Sequence, residues 1–168
     1  IKLLEHFPTS PETMQNWLML IEREMKKDLR DTDFLVSTID DFDKSEIKKI
    51  PVQIVLDNLR SSFNVGSLFR TAEALGVDMI HLCGYTPTPE NSKTAKSALG
   101  TDEWVKWKYW ESSLECLDSL KSEGVKIYAF ETEASAIDIN EIEPARNSAI
   151  VLGNERYGLS SPTLNRAD

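Results

Sequence analysis

Between Leu56 and Val77 the chain reads LDNLRSSFNVGSLFRTAEALGV, an apolar run joined through a polar elbow to a stretch with helical periodicity. Val52, Ile54, Val55 and Leu56 are rich in β-branched side chains and stop at Asp57 and Asn58, which predicts a buried strand. Beyond the elbow, Val65, Leu68, Phe69, Ala72 and Leu75 recur on one helical face. Gly76 follows as a residue able to take the left-handed conformation that ends a helix. Asn64 stands where an N-cap is expected. Arg70 lies about 140° around the helical wheel from Val65, at roughly 100° per residue, so it points away from the apolar stripe. Gly66 in the first turn allows close backbone access at a partly positive helix end. Read alone, the unit is also what an ordinary strand-loop-helix would give, with Asn64 a plain cap and Arg70 a solvated arginine.

From Pro51 onward strands and helices alternate, the pattern of a parallel α/β sheet. Met79 to Cys83 predicts a second strand closed by Gly84, and Lys93 to Leu99 a short helix before Gly100. Glu103 to Trp110 alternates with strand period and carries Trp104, Trp107 and Trp110, which suits aromatic packing at a sheet edge or a stacking surface for bases. Ser112 with Glu115 predicts a capping box for a helix to Glu123, ended by Gly124. Val125 to Phe130 and Ser148 to Leu152 complete the strands. Glu131 and Thr132 fall at the C-terminal end of the first of these, where open α/β sheets bind ligands. GNERYGLSSP, from Gly153 to Pro162, is a glycine-bracketed loop of the kind that cradles a ligand with backbone N–H groups, and Ser161 before Pro162 caps a further helix. Upstream, Ser10 and Pro11 open a helix over residues 10 to 30, with Met14, Trp17, Leu18, Ile21, Met25 and Leu29 on one stripe. An acidic, irregular linker over residues 31 to 49 follows, so residues 1–50 are expected to be an N-terminal helical extension and 51–168 the main domain.

The chain of 168 residues carries a net charge of −9, which argues against nonspecific adhesion to nucleic acid. Residues 51–110 hold six basic and six acidic side chains, whereas 111–168 hold five basic and eleven acidic. A nucleic-acid footprint therefore belongs to the first half of the domain, with Arg60, Arg70, Lys93, Lys96, Lys106 and Lys108 as candidates. No run approaches the roughly 20 apolar residues of a membrane span. An intracellular, cytoplasmic protein is the expectation. Cys83 and Cys116 lack CxxC spacing and read as reduced structural thiols, and no metal site is expected. His6 and His81 are isolated, and His81 sits in an apolar run that suits a hydrogen-bonded core position. Neither GxGxxG nor GxxxxGK[ST] occurs, so dinucleotide and nucleoside-triphosphate sites lack support.

The run from Asp57 to Gly76, with Asn64, Gly66, Arg70, Thr71, Ala72 and Gly76 at these spacings, resembles the first signature motif of the SpoU (TrmH-like) family of the SPOUT superfamily. Members of that family are RNA ribose 2′-O-methyltransferases that use S-adenosylmethionine. VLGNERYGLS resembles the family's second motif, in which a glycine, an asparagine-glutamate pair and a second glycine line the methyl-donor pocket. LCGYTPTPEN and SKTAKSALGT resemble the intervening segments. Arg156 stands where many members carry glycine or a small residue.

The resemblance spans residues 51–168 and implies an α/β fold, a mostly parallel sheet with helices on both faces and a trefoil knot. Relatives continue past the position of Asp168 through a strand and a third motif, so the knot is expected to be incomplete in the sequence given. The resemblance also implies a homodimer acting on tRNA or rRNA without a metal. By the same resemblance Arg70 is the central catalytic group, stabilising the nascent oxyanion, and Asn64 orients it or the ribose. Glu155 is expected to hold Arg70 through an arginine-carboxylate fork. Leu152, Gly153, Asn154 and Gly158, with Glu131 and Thr132, belong to the donor site, while Arg60, Lys93 and Lys96 face RNA. The competing reading is a noncatalytic RNA-binding or scaffold protein that keeps the fold without the donor site. The joint presence of Asn64, Arg70 and Glu155 argues for the enzyme.

Overall fold

The computed structural model describes residues 49–168. The expected helix over residues 10 to 30, the linker after it and His6 lie outside the described residues. The elements in chain order are β1 (Ile50–Asp57), α1 (Ser62–Leu75), β2 (Val77–Cys83), α2 (Ser92–Ala98), β3 (Lys106–Trp110), α3 (Ser113–Ser122), β4 (Lys126–Phe130), β5 (Ser148–Leu152) and α4 (Ser161–Leu164). Single 3-10 turns occur at Thr101–Glu103 and Ile139–Glu141.

The five strands form one sheet in the order β3-β2-β1-β5-β4, and every pairing is parallel. Ile54 of β1 pairs with Ile80 on one side and Ile150 on the other, so β1 is central. Its apolar run is continuous because both of its faces are covered. Ile54 and Leu56 pack with Val65, Phe69 and Ala72 of α1 and Ala98 of α2. Val55 turns the other way, into a cluster with Val151, Ile127 and the α3 residues Cys116, Leu117 and Leu120. Full burial of each such side chain stabilises the fold by about 1.5–3 kcal/mol.

The order of strands sets the position of the site. The chain walks outward from β1 to β3, crosses to the opposite edge at β4, and then fills the gap beside β1 with β5. Helix α1 leaves β1 for one face, whereas Leu164 of α4, after β5, packs on the other. Such a reversal opens a crevice at the carboxyl ends of the two strands.

Several boundaries differ from the sequence expectation. Helix α1 is capped by Ser61, which has an extended backbone and whose Oγ accepts the Asn64 N–H at 3.2 Å. Asn64 therefore sits inside the first turn and is not the N-cap. Strand β2 begins at Val77, directly after the left-handed Gly76. Strand β3 begins only at Lys106, because residues 101–103 close a 3-10 turn. Ser112 is the N-cap of α3 but its side chain makes no capping bond. The capping box with Glu115 does not form. Ser160, not Ser161, caps α4, accepting the Thr163 N–H at 3.3 Å, and Pro162 takes the second helical position.

The tryptophans of β3 are packing groups. Trp107 lies against the α1-side core and Trp110 against the α3-side core. Trp110 Nε1 donates to His81 Nδ1 at 3.0 Å, and His81 Nε2 meets Gln53 Oε1 at 2.7 Å, which places the imidazole proton on Nε2. His81 is the hydrogen-bonded core residue expected. Cys83 and Cys116 are buried free thiols. Their mutual hydrogen bond, together with burial, pushes the Cys83 thiol up. Among the described residues no helix is long and apolar enough to cross a membrane.

Candidate active site

The elbow after β1 is held from below. The buried Asp57 carboxylate accepts Asn58 Nδ2 at 2.8 Å and the Thr163 hydroxyl at 3.0 Å. Asn58 takes a left-handed backbone, φ 57°, a conformation asparagine tolerates better than most residues. Its Oδ1 accepts the Tyr85 N–H at 3.2 Å. Leu59 N donates to the buried Thr86 hydroxyl, which lies 2.7 Å from the Cys83 carbonyl. These supports were not anticipated. The signal for them was the Asp57-Asn58 pair itself, two residues suited to local backbone bonding at a strand end.

The loop after β5 closes on itself. Gly158 N donates to the Asn154 carbonyl at 2.8 Å, and the two residues form an isolated antiparallel bridge. A Cβ on Gly153 would lie 2.6 Å from the carbonyl carbon of Gly158, and one on Gly158 would strike the Glu131 carboxylate. Both glycines are therefore required by the loop's own closure. The buried Asn154 side chain is fully used. Nδ2 donates to Asn58 O at 2.8 Å and to the Tyr85 hydroxyl at 3.2 Å, while Oδ1 accepts the N–H groups of Arg156 and Tyr157 at 2.9 and 3.1 Å.

Glu155 joins this loop to α1. Its carboxylate accepts the backbone N–H of Arg60 at 2.9 Å and of Ser61 at 3.1 Å, and Asn64 Nδ2 at 2.9 Å. An anion at a helix N-terminus also complements the helix dipole. Desolvation raises its pKa, but the backbone donors of Arg60, Glu155 itself and Ser61, with Asn64, outweigh it, and the net shift is downward. Glu131 serves the far end of the loop, accepting Leu159 N at 2.8 Å and Thr132 N at 2.9 Å. The Leu159 and Thr132 N–H groups lower its pKa.

Arg70 is placed differently from the expectation. Its guanidinium donates to the Ser97 carbonyl and to Ser67 Oγ, each at 3.3 Å, and it makes no fork with Glu155. It lies six residues beyond Asn64, about 9 Å along the helix axis, and the Glu155 carboxylate is already occupied at the first turn. The close approach at Gly66 is also used by protein, because a Cβ there would lie 2.5 Å from Ser97 Cβ of α2. This contact presses α2 against α1 and presents the Ser97 carbonyl to Arg70.

Glu131, Thr132, Leu152, Gly153, Asn154 and Gly158 line one cleft of about 460 Å³, together with Glu155, Arg156 and Tyr157. All six expected donor-site residues are thus brought together at the carboxyl ends of β4 and β5. A larger apolar hollow of about 620 Å³ adjoins it, sharing Phe130, Glu131 and Thr132 and walled by Ile137, Ile139 and Ile142. Arg60, Lys93 and Lys96 are exposed, the last two on α2. Lys106 pairs loosely with Asp78 at 4.0 Å, and Lys108 Nζ sits 3.6 Å over the Trp110 ring. Among the described residues no three His, Cys, Asp or Glu side chains gather as a metal site requires.

Residues 51–168 match the family model described as the SpoU rRNA methylase family. Over 115 residues the chain is 29% identical to a tRNA (guanosine(18)-2′-O)-methyltransferase of Escherichia coli strain K12, covering 68% of the chain and 49% of that protein. It is 30% identical over 115 residues to the 23S rRNA (guanosine(2553)-2′-O)-methyltransferase RlmP of Bacillus subtilis strain 168, covering 68% of the chain and 46% of the relative. Among solved structures, the AdoMet-bound rRNA methyltransferase of Sinorhizobium meliloti superimposes with a TM-score of 0.66 at 24% identity, over 72% of the chain and 46% of that protein. That agreement is one of fold. The chain spans about half the length of these relatives.

Proposed function

The chain belongs to the SpoU rRNA methylase family, and from that membership we propose that the protein is an S-adenosylmethionine-dependent methyltransferase acting on a ribose 2′-hydroxyl of tRNA or rRNA. One observation carries the reading. Glu155 of the second motif bonds Asn64 of the first across 91 residues of sequence, so the two signature segments build a single site.

The cleft suits the donor. Its volume lies in the range of small-molecule sites, and its walls are backbone of the glycine-closed loop and the ends of two strands. When bound, S-adenosylmethionine supplies an electrophilic methyl group on its sulfonium. Gly153, Asn154 and Gly158 contribute through backbone, with Leu152 and Thr132 beside them. Glu131 acts through the loop it holds. Arg70 carries a fixed positive charge. Held by Ser67 and Ser97, it keeps further N–H donors free to stabilise the charge that develops on the ribose oxygen. Glu155 is a positioning residue, because its lone pairs are engaged by three N–H groups, and through Asn64 it fixes the start of the catalytic helix.

The methyltransferase domain begins with β1 at Ile50, one residue before the expected boundary. Arg60, Lys93 and Lys96 contact RNA phosphates, and the protein works in the cytoplasm as a homodimer. In the full-length protein, Arg70→Ala is expected to lower labelled-methyl incorporation into RNA by about 10²–10³-fold. Donor affinity by calorimetry should stay within about twofold. A variant that still methylates at the wild-type rate removes Arg70 from this role.

A further inference from the structure

Three aromatic rings stand exposed on the segments that the Asn64–Glu155 bond and the Asn154 side chain bring together. Phe63, in the first turn of α1, is 67% exposed; Tyr85, after β2, 63%; and Tyr157, on the β5 loop, 75%. None of the three belongs to either core cluster. Short links tie them to one polar pair. The Tyr85 hydroxyl accepts Asn154 Nδ2 at 3.2 Å, Tyr157 N donates to Asn154 Oδ1 at 3.1 Å, and Asn64, beside Phe63, bonds Glu155 at 2.9 Å. Rings scattered singly over a surface need no explanation, but three grouped at one crevice do.

The charges beside them indicate the partner. The guanidinium carbon of Arg156 lies 5.4 Å from the centre of the Tyr157 ring, and Arg60, exposed, precedes Phe63 by three residues in the elbow before α1. In a chain of net charge −9 this end of the sheet is where guanidinium groups and open rings meet. A surface meant for another protein is depleted in charge at its centre. Single-stranded nucleic acid is held by the opposite mixture, cations on phosphates and aromatic faces under splayed bases. We propose that Tyr157, Tyr85 and Phe63 form a stacking surface for unpaired bases of an RNA segment, with Arg60 and Arg156 on its phosphates. The proposal rests on the reading of the protein as an RNA enzyme. It moves base stacking from β3, whose tryptophans are packed into the sheet, to the rim of the site.

The test uses the full-length protein and a short single-stranded oligoribonucleotide carrying a fluorescent purine. Wild type should bind it with quenching of the purine. Tyr157→Leu and Phe63→Leu keep apolar bulk but remove the π face, and each should weaken binding about tenfold and abolish most of the quench. Tyr157→Phe, which keeps the ring, should restore both. Wild-type affinity in the leucine variants overturns the proposal, as does absence of oligonucleotide binding by wild type. A shift in sedimentation of the leucine variants with unchanged RNA affinity would make the surface an interface between two copies instead. Tyr157 and Arg156 also stand on the wall of the smaller cleft, so loss of donor affinity by Tyr157→Leu equal to its loss of RNA affinity would assign that ring to the donor and overturn its place in the stacking surface. RNA binding with quench but no methyl incorporation would leave the stacking surface standing and sink the methyltransferase reading.

Discussion

The loops after β1 and β5 and the loop after β4 share one end of the sheet and are built in opposite ways. At the β1-β5 crevice side chains bond backbone of the neighbouring loop, as Asn154 does to Asn58 and Glu155 to Arg60 and Ser61, and Glu131, at the very start of the β4 loop, joins it through Leu159. The rim over residues 133–147 is exposed along almost its whole length. Its bonds are mostly local, such as Asn140 N to Asp138 Oδ1 and Ala136 N to Glu133 O, with Ala145 N to the Tyr128 hydroxyl the longer reach. Directional bonds from one loop to another fix positions, whereas apolar area alone fixes only contact. A reacting centre needs the first kind of wall.

The comparison breaks most readily at Gly158. Its φ of +66° and the Glu131 carboxylate that a Cβ would strike leave no room for a side chain. Gly158→Ala is expected to cost about 1–3 kcal/mol of stability, read as a lower denaturation midpoint. It should also weaken donor binding by more than tenfold in calorimetry, because the loop cannot close without displacing Glu131. Wild-type donor affinity in that variant would show that the closed loop is not the donor site.

The fold was legible because β1 and β5 are short apolar runs rich in β-branched residues, the stripe on α1 keeps helical period, and strand-helix alternation points to a parallel sheet. What periodicity could not supply was side-chain partnership across long separations. Asn64 looked like a cap from its place before Val65, but Ser61 satisfies the first turn and frees the Asn64 amide to reach Glu155. The Arg70-Glu155 fork failed because the helix N-terminus competes for the same carboxylate. Gly66 promised close backbone access, and Ser97 is what fills that approach. The six positions proposed for the donor do lie along one cleft, since a loop bracketed by Gly153 and Gly158 has few ways to close beside the ends of β4 and β5.

A smaller effect is expected at the two carboxylates. Glu155→Gln keeps an acceptor but loses the anion at the α1 terminus, and should cost about 0.5–1 kcal/mol. The folded-state pKa values of Glu131 and Glu155 are both lowered. Their contribution is therefore fully present above the unfolded glutamate value of about 4.3 and lost as pH falls through the folded values. Denaturation midpoints of wild type should hold from pH 7 to 5 and then drop more steeply than those of Glu131→Gln or Glu155→Gln. Parallel acid curves would mean that neither anion is held in the folded crevice.

The smallest effect sharpens the comparison from the other side. Ile139 is 63% exposed and lies on a 3-10 turn at the lip of the apolar hollow. A side chain so placed has already given up little contact with water, and replacing it removes almost no buried area. Ile139→Ser should therefore change stability by no more than about 0.5 kcal/mol in chemical denaturation, the range of substitutions away from caps, cores and networks. Donor affinity should be unaltered, since Ile139 does not line the smaller cleft. A loss above about 1 kcal/mol would require the rim to be covered in the working protein, as burial of an isoleucine is worth that much. The apolar hollow would then be the wall of a packed interface, and the contrast between a fixed crevice and an open rim would have to be redrawn as one between polar and apolar means of fixing the same site.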